Sequence, residues 1–126
     1  MAKILIIDDD HDLANLTKIT LTKNGYKVSI LHSADNITDE IKTLKPDLIL
    51  MDIMMPGISG AEAVRNLKGH PQLKSIPVIF LTGLVLGGEE EIDKPGISVD
   101  GQMYQTLGKP YEIDELLAVV SKTLNG

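Results

Sequence analysis

The chain of 126 residues contains no cysteine, which excludes disulfide bonds and thiolate chemistry. It also has no apolar stretch long enough to cross a bilayer, and its short apolar start runs into acidic residues instead of a signal-peptide cleavage site. Basic residues are fewer than acidic ones, 12 against 18, and form no cluster, which disfavours direct contact with nucleic acid. These absences predict a cytoplasmic protein that does not insert into a membrane.

The overall composition is that of an ordinary globular domain. Hydrophobic residues make up 43% of the chain and charged residues 24%, so the chain can bury a core without disulfide bonds or a structural metal ion. No internal repeat, low-complexity tract or linker interrupts it. We therefore expect residues 1–126 to form one domain.

Short apolar runs alternate with amphipathic stretches along most of the chain. Runs at 4–7, 27–31, 48–51, 78–81 and 103–107 predict five strands, and the segments between and after them predict helices. Such alternation favours an α/β fold, with a doubly wound, flavodoxin-like sheet of five parallel strands in the order 2-1-3-4-5. Residues 84–101 are rich in glycine, so we expect an atypical or shortened fourth helix.

Polar residues follow the predicted strands where a doubly wound sheet binds its ligands, at the carboxyl ends. They are Asp8 and Asp9 after the first strand, Asp52 after the third, Thr82 after the fourth and Lys109 after the fifth. Three carboxylates at one edge repel one another, and a hard cation such as Mg²⁺ relieves that repulsion. A cation with open positions suits a phosphoryl group, which Asp52 could accept as a nucleophile.

Other polar residues have simpler interpretations. Asp10 or Asp12 is expected to cap the first helix. The three histidines, His11, His32 and His70, show no spacing typical of metal ligands, so the sequence assigns them no function.

Four segments together resemble the receiver domains of bacterial two-component response regulators, in the CheY-like superfamily. They are Lys3 to Asp10, Asp47 to Gly60, Ile76 to Gly83, and Lys109-Pro110-Tyr111. The resemblance implies a role for each matching residue. Asp52 would be the phosphoacceptor, while Asp8, Asp9, Asp52 and the backbone carbonyl of Met54 would hold Mg²⁺. Thr82 would hydrogen-bond the phosphoryl group, and Lys109 would pair with one of its oxygens.

The resemblance also implies partners and a mode of action. The donor would be a phosphohistidine on a sensor histidine kinase or a histidine phosphotransfer protein. Phosphorylation would change the conformation and so control contact with a downstream protein, either as a single-domain receiver or as the front part of a longer regulator. Such a domain is not an enzyme for external substrates, because it catalyses only its own phosphorylation and slow dephosphorylation.

One departure from the family keeps an alternative open. The aromatic residue that receivers usually carry three positions before the lysine is replaced by Thr106, and Tyr104 lies two residues earlier. Tyr104 could take its place only if the fifth strand is shifted or bulged. The alternative is a degenerate receiver that acts as a phosphorylation-independent interaction module.

Two further classes of protein fit less well. A metal-dependent phosphatase with an aspartate nucleophile would carry a general acid two residues later, where this chain has Met54. A flavodoxin-like cofactor binder would need a phosphate loop rich in Ser, Thr and Gly after the first strand. The acidic run at 8–10 would repel such a phosphate unless a cation were present.

Overall fold

A computed structural model describes residues 2–33, 35–53, 60–82, 96–99, 101–108 and 111–125, with the backbone alone at 96–98 and 103. The elements in chain order are β1 (Lys3–Ile7), α1 (His11–Lys23), β2 (Lys27–Leu31), α2 (Ile37–Leu44), β3 (Leu48–Asp52), α3 (Gly60–Lys68), β4 (Val78–Thr82), β5 (Gly96–Val99), β6 (Gln102–Gly108) and α4 (Ile113–Asn125). None of the helices in the described part combines the length and apolar character that a bilayer crossing requires.

The strands form one sheet in the order β2-β1-β3-β4-β6-β5. Five of them, β2, β1, β3, β4 and β6, are parallel, which confirms the predicted order 2-1-3-4-5. Their crossovers place α1 and α4 on one face and α2 and α3 on the other. The sheet is therefore the doubly wound arrangement expected from the alternation of elements.

Both faces of the sheet are covered, and this explains the unbroken apolar strands. On β3 all five residues are buried, and alternate side chains join different core clusters. Ile49 and Met51 pack towards α2 and α3, while Leu48 and Leu50 pack towards α1 and α4. A strand buried on both sides needs apolar residues at every position, and the polar residues fall at its end.

The sheet has one strand that the pattern of apolar runs does not predict. Residues Gly96–Val99 form β5, which pairs antiparallel with β6 and lies at the edge of the sheet. Gly101, in the connection between them, has a φ of 85°. The end of the glycine-rich interval is therefore a hairpin strand. The rest of the interval predicted to hold an atypical or shortened fourth helix, residues 84–95, lies outside the described residues.

Gly60 begins α3 in a position that leaves no room for a side chain. A Cβ atom there would lie 3.0 Å from Ile53 Cα and 3.1 Å from the carbonyl oxygen of Asp52. Because both contacts are with backbone, the neighbours cannot move aside without disturbing the end of β3. Glycine at this position therefore lets α3 begin close to the residue that ends the central strand.

We expect Gly60→Ala to lower the free energy of unfolding by about 1–3 kcal/mol through this overpacking. Gly69→Ala is the matched control, since its Cβ would make only an ordinary contact, 3.5 Å from the carbonyl oxygen of Asn66. The control should change stability by no more than about 0.5 kcal/mol. Urea unfolding followed by far-ultraviolet circular dichroism measures both, and equal effects would contradict the steric explanation.

Candidate functional site

The polar residues predicted at the strand ends converge at the carboxyl edge of the sheet. Ile7 of β1 pairs with Met51 of β3, so the next residues, Asp8 and Asp52, lie side by side. Asp52 pairs in turn with Leu81 of β4, one residue before Thr82. The site is thus built by register, because each polar residue ends or directly follows a strand whose apolar residues are fixed in the core.

Asp8, Asp9 and Asp52 form a compact carboxylate cluster. One side-chain oxygen from each lies within 4.8 Å of the other two. Asp8 is fully buried, Asp52 and Thr82 are each 6% exposed, and Asp9 is exposed. Two acids of this acidic cluster are therefore recessed below the surface, and the third, Asp9, lies at the surface.

Backbone contacts fix the buried end of this cluster. One oxygen of Asp8 accepts a hydrogen bond from the N–H of Asp10 at 3.0 Å. Asp10 is itself the N-cap of α1, and its carboxylate accepts the N–H of Leu13 at 3.0 Å, which confirms the capping prediction. The turn from β1 into α1 thus orients Asp8 into the sheet edge.

The donor set of the cluster suits a hard divalent cation. Two negative charges as close as those of Asp8 and Asp52 repel by about 3 kcal/mol at an effective dielectric constant of about 20. The ligand atoms are all carboxylate oxygens, without sulfur or nitrogen, which is the set that Mg²⁺ prefers. Mg²⁺ is usually held by one or two carboxylates and keeps other positions for water or phosphate oxygens. The residues present therefore fit this ion.

Two predicted site residues, Lys109 and Met54, lie outside the described residues. The structure does describe the residues that flank Lys109-Pro110 in the sequence. Gly108 ends β6 opposite Thr82, and the hydroxyl of Tyr111 hydrogen-bonds the buried Thr17 of α1 at 2.6 Å. Lys109 thus follows a strand that ends beside Thr82, and the chain is attached to α1 two residues later.

Tyr104 does not occupy the position of the missing aromatic residue. β6 pairs with β4 in continuous register, with Thr106 opposite Phe80. Tyr104 is 7% exposed and packs edge-on against Phe80, with ring centroids 5.5 Å apart. The ammonium of Lys68 lies 5.5 Å from the Tyr104 ring centroid. Because the described pairing shows no shift, Tyr104 lies about 7 Å from Thr106 along the strand, towards the amino end of β6.

Two histidines that the sequence left unassigned lie beside the acidic cluster. His11 is the first residue of α1 and His32 directly follows β2. Their rings stack with centroids 3.6 Å apart and planes 9° from parallel. Nδ1 of His32 lies 3.1 Å from the carbonyl oxygen of Asp8. Sequence spacing could not reveal this pair, because it depends on β1 and β2 being neighbours in the sheet.

Comparison with known proteins gives the same family over nearly the whole chain. Residues 4–121 match the model of the response regulator receiver domain. The phosphate regulon transcriptional regulatory protein PhoB of Rhizobium meliloti (strain 1021) is 31% identical over 124 residues, which are 98% of this chain and 52% of that protein. The chain therefore spans about half the length of this relative.

Solved structures show the same fold. The receiver domain of a signal transduction histidine kinase from Syntrophus aciditrophicus is 29% identical, with a TM-score of 0.82, covering 100% of this chain and 92% of that one. The receiver domain of the sensor histidine kinase PA1611 from Pseudomonas aeruginosa PAO1 is 23% identical, with a TM-score of 0.82, covering 99% and 98%. That structure has a magnesium ion coordinated in its active-site cleft. Sheet order, acidic cluster and family match agree, and the chain belongs to the response regulator receiver domain family.

Proposed function

We propose that this chain is the phosphoacceptor of a two-component phosphorelay and that Asp52 receives the phosphoryl group. The observation that carries the proposal is the meeting of three carboxylates within 4.8 Å at the end of the central strands, with Thr82 ending the adjacent strand. Asp52 is the member of this cluster at the centre of the edge, between Asp8 and Thr82. A phosphoryl group on Asp52 would therefore have the Asp8 carboxylate on one side and the Thr82 hydroxyl on the other.

The proposed cofactor is Mg²⁺, held by Asp8, Asp9 and Asp52 together with the backbone carbonyl of Met54. When bound, the ion neutralises negative charge on the carboxylates and on the incoming phosphoryl oxygens. The close approach of the three acids and their all-oxygen character support this assignment. The magnesium ion in the active-site cleft of the Pseudomonas receiver, which has the same fold, supports this proposal.

The chemistry asked of the protein is mainly positioning. A carboxylate oxygen of Asp52 attacks the phosphorus of a phosphohistidine, the O–P bond forms, and the P–N bond breaks with its electrons returning to the imidazole. The product is an acyl phosphate on Asp52 and a free histidine on the donor. The hydroxyl of Thr82 donates a hydrogen bond to a phosphoryl oxygen, and the ammonium of Lys109 pairs with another.

The donor we propose is a sensor histidine kinase or a histidine phosphotransfer protein, acting in the cytoplasm. Phosphorylation then shifts a two-state equilibrium and changes a surface that a downstream protein reads. The domain would not act on external substrates. Its turnover would be limited to its own phosphorylation and slow dephosphorylation, which agrees with the methionine, not a general acid, at position 54.

One observation favours a second candidate, a degenerate receiver that binds its partner without phosphorylation. Tyr104 is buried against Phe80 and Lys68, so it does not take the role of an aromatic residue at position 106. A receiver without that moving ring could have lost its switch. The intact acidic cluster argues against this alternative, because an interaction module has no need for three close carboxylates.

The test uses the purified chain, Mg²⁺ and acetyl phosphate, with intact mass as the readout. We expect one phosphoryl adduct per molecule in Mg²⁺ and none when the ion is removed with a chelator. Adduct formation that persists without divalent ions would contradict the metal assignment. If neither acetyl phosphate nor a phosphohistidine donor gave an adduct, the degenerate module would be the better description.

A further inference from the structure

The stacked pair of His11 and His32 has no role in the proposed phosphoryl transfer, yet it lies against the acidic cluster. Both rings are exposed at the surface, and they connect the end of β2 to the start of α1. These two points flank the turn that carries Asp8 and Asp9. The pair therefore sits where it can restrain the residues that would hold a cation.

The contact between His32 and Asp8 has a defined direction. A carbonyl oxygen only accepts hydrogen bonds, so Nδ1 of His32 carries the proton and donates to the Asp8 carbonyl, 3.1 Å away. That carbonyl belongs to the peptide group joining Asp8 to Asp9. Fixing its plane restricts the φ angle of Asp9 and so the direction of its side chain.

Asp9 is the acid of the cluster that most needs such a restraint. Asp8 is buried and its carboxylate already accepts the N–H of Asp10, whereas Asp9 is exposed. Within the described part of the chain, no hydrogen bond holds the carboxylate of Asp9. Its orientation must therefore come from its backbone, and His32 holds that backbone from the side of β2.

The stack with His11 fixes the ring that makes this hydrogen bond. A solvent-exposed imidazole has several rotamers, and a partner ring at 3.6 Å with nearly parallel planes selects one of them. Because His11 is the first residue of α1, its backbone is held by the helix. The helix start thereby supports a ring at the end of a neighbouring strand.

We propose that His32, held by its stack on His11, is a positioning residue that orients Asp9 for cation binding through the Asp8–Asp9 peptide group. The inference rests on the proposed function, since it concerns the same Mg²⁺ site. Groups that orient metal ligands without touching the metal can change metal affinity by about 10–100-fold. A peptide-mediated restraint on one of several ligands belongs at the lower end of that range.

Two substitutions of His32 separate the hydrogen bond from the stack. His32→Phe keeps a flat ring for His11 but removes the donor. His32→Asn removes the ring but places an amide N–H₂ where Nδ1 was. We expect isothermal titration calorimetry to show Mg²⁺ binding weakened about tenfold in His32→Phe and no more than about threefold in His32→Asn.

His70→Phe is the matched control, because His70 lies in the turn after α3, whose peptide groups bond towards Leu67 and Leu73 and not towards the cluster. It should bind Mg²⁺ like the wild type. The proposal would be overturned by wild-type affinity in His32→Phe, by equal losses in His32→Phe and His32→Asn, or by an equal loss in His70→Phe. If the wild type itself bound no Mg²⁺, the proposed cofactor would fail, and this inference with it.

A second measurement needs no metal and detects the restraint itself. In the metal-free protein, amide hydrogen exchange followed by nuclear magnetic resonance reports how firmly the turn at Asp9 and Asp10 is held. We expect His32→Phe to speed exchange severalfold at the amide of Asp10, whose N–H is hydrogen-bonded to the Asp8 carboxylate, while leaving the amides of β3 unchanged. Unchanged exchange at Asp10 would overturn the positioning role even if Mg²⁺ affinity fell.

Discussion

An Asp52→Asn variant is expected to take up no phosphoryl group under conditions in which the wild type is fully converted. The amide is neutral and a poor nucleophile, so it does not attack phosphorus. The variant therefore cannot form the acyl phosphate that a carboxylate forms. Asn is close to Asp in shape, and Asp52 is 6% exposed, so the core around it keeps its packing. Intact mass after incubation with Mg²⁺ and acetyl phosphate measures the loss directly.

Asp47→Asn is the control for this prediction, because Asp47 flanks the other end of the same strand. Its carboxylate accepts the N–H of Lys3 at 2.8 Å and is exposed, at the edge of the sheet opposite the acidic cluster. This variant should be phosphorylated like the wild type. An adduct on Asp52→Asn, or its loss in Asp47→Asn, would show that the acceptor is not the residue at the end of β3.

The general fold could be predicted because its determinants are local. Each parallel strand is a short apolar run, and each helix between them shows its own amphipathic spacing. Once the alternation is established, the right-handed crossover rule leaves few topologies. The positions of Asp8, Asp52 and Thr82 then follow, because the carboxyl ends of parallel strands share one edge.

The edge hairpin was missed although the sequence carries a signal for it. Asp100-Gly101 is a dipeptide typical of two-residue hairpin turns, and β-branched Ile97 and Val99 precede it. The glycine content of residues 84–101 instead favoured an atypical or shortened fourth helix. Gly101 has a positive φ of 85°, the conformation for which glycine is suited in such a turn.

The environments of Tyr104 and the histidine pair could not be predicted, since they depend on contacts between elements far apart in the chain. In any strand the side chains of Tyr104 and Thr106 lie on the same face. Only the register with β4 shows how far along that face Tyr104 packs. His11 and His32 meet because β2 lies next to β1. Sequence spacing alone cannot report a distance of this kind.

A Phe80→Ala variant is expected to lose about 3–5 kcal/mol of the free energy of unfolding, out of a total of about 5–15 kcal/mol for a domain of this size. Phe80 is fully buried in the central part of the sheet, and it packs between α3 and Tyr104. Its removal leaves a cavity that the backbones of β3 and β4 cannot close, because both strands are paired on each side. Urea unfolding followed by circular dichroism measures the change.

The same unfolding measurement, applied to a double-mutant cycle, tests whether the Tyr104 ring is fixed in the core or free to move as a switch. If its ring is held edge-on by Phe80, a double-mutant cycle with Tyr104→Ala should give a coupling of about 0.5–1.5 kcal/mol. Ile113→Ala, at a residue 57% exposed, should cost no more than about 0.5 kcal/mol and controls for the loss of any apolar side chain. A coupling near zero would mean that Tyr104 does not depend on Phe80 for its position. A clear coupling would mean that Phe80 holds the Tyr104 ring in place, so that any movement of this ring during switching would first have to break that contact.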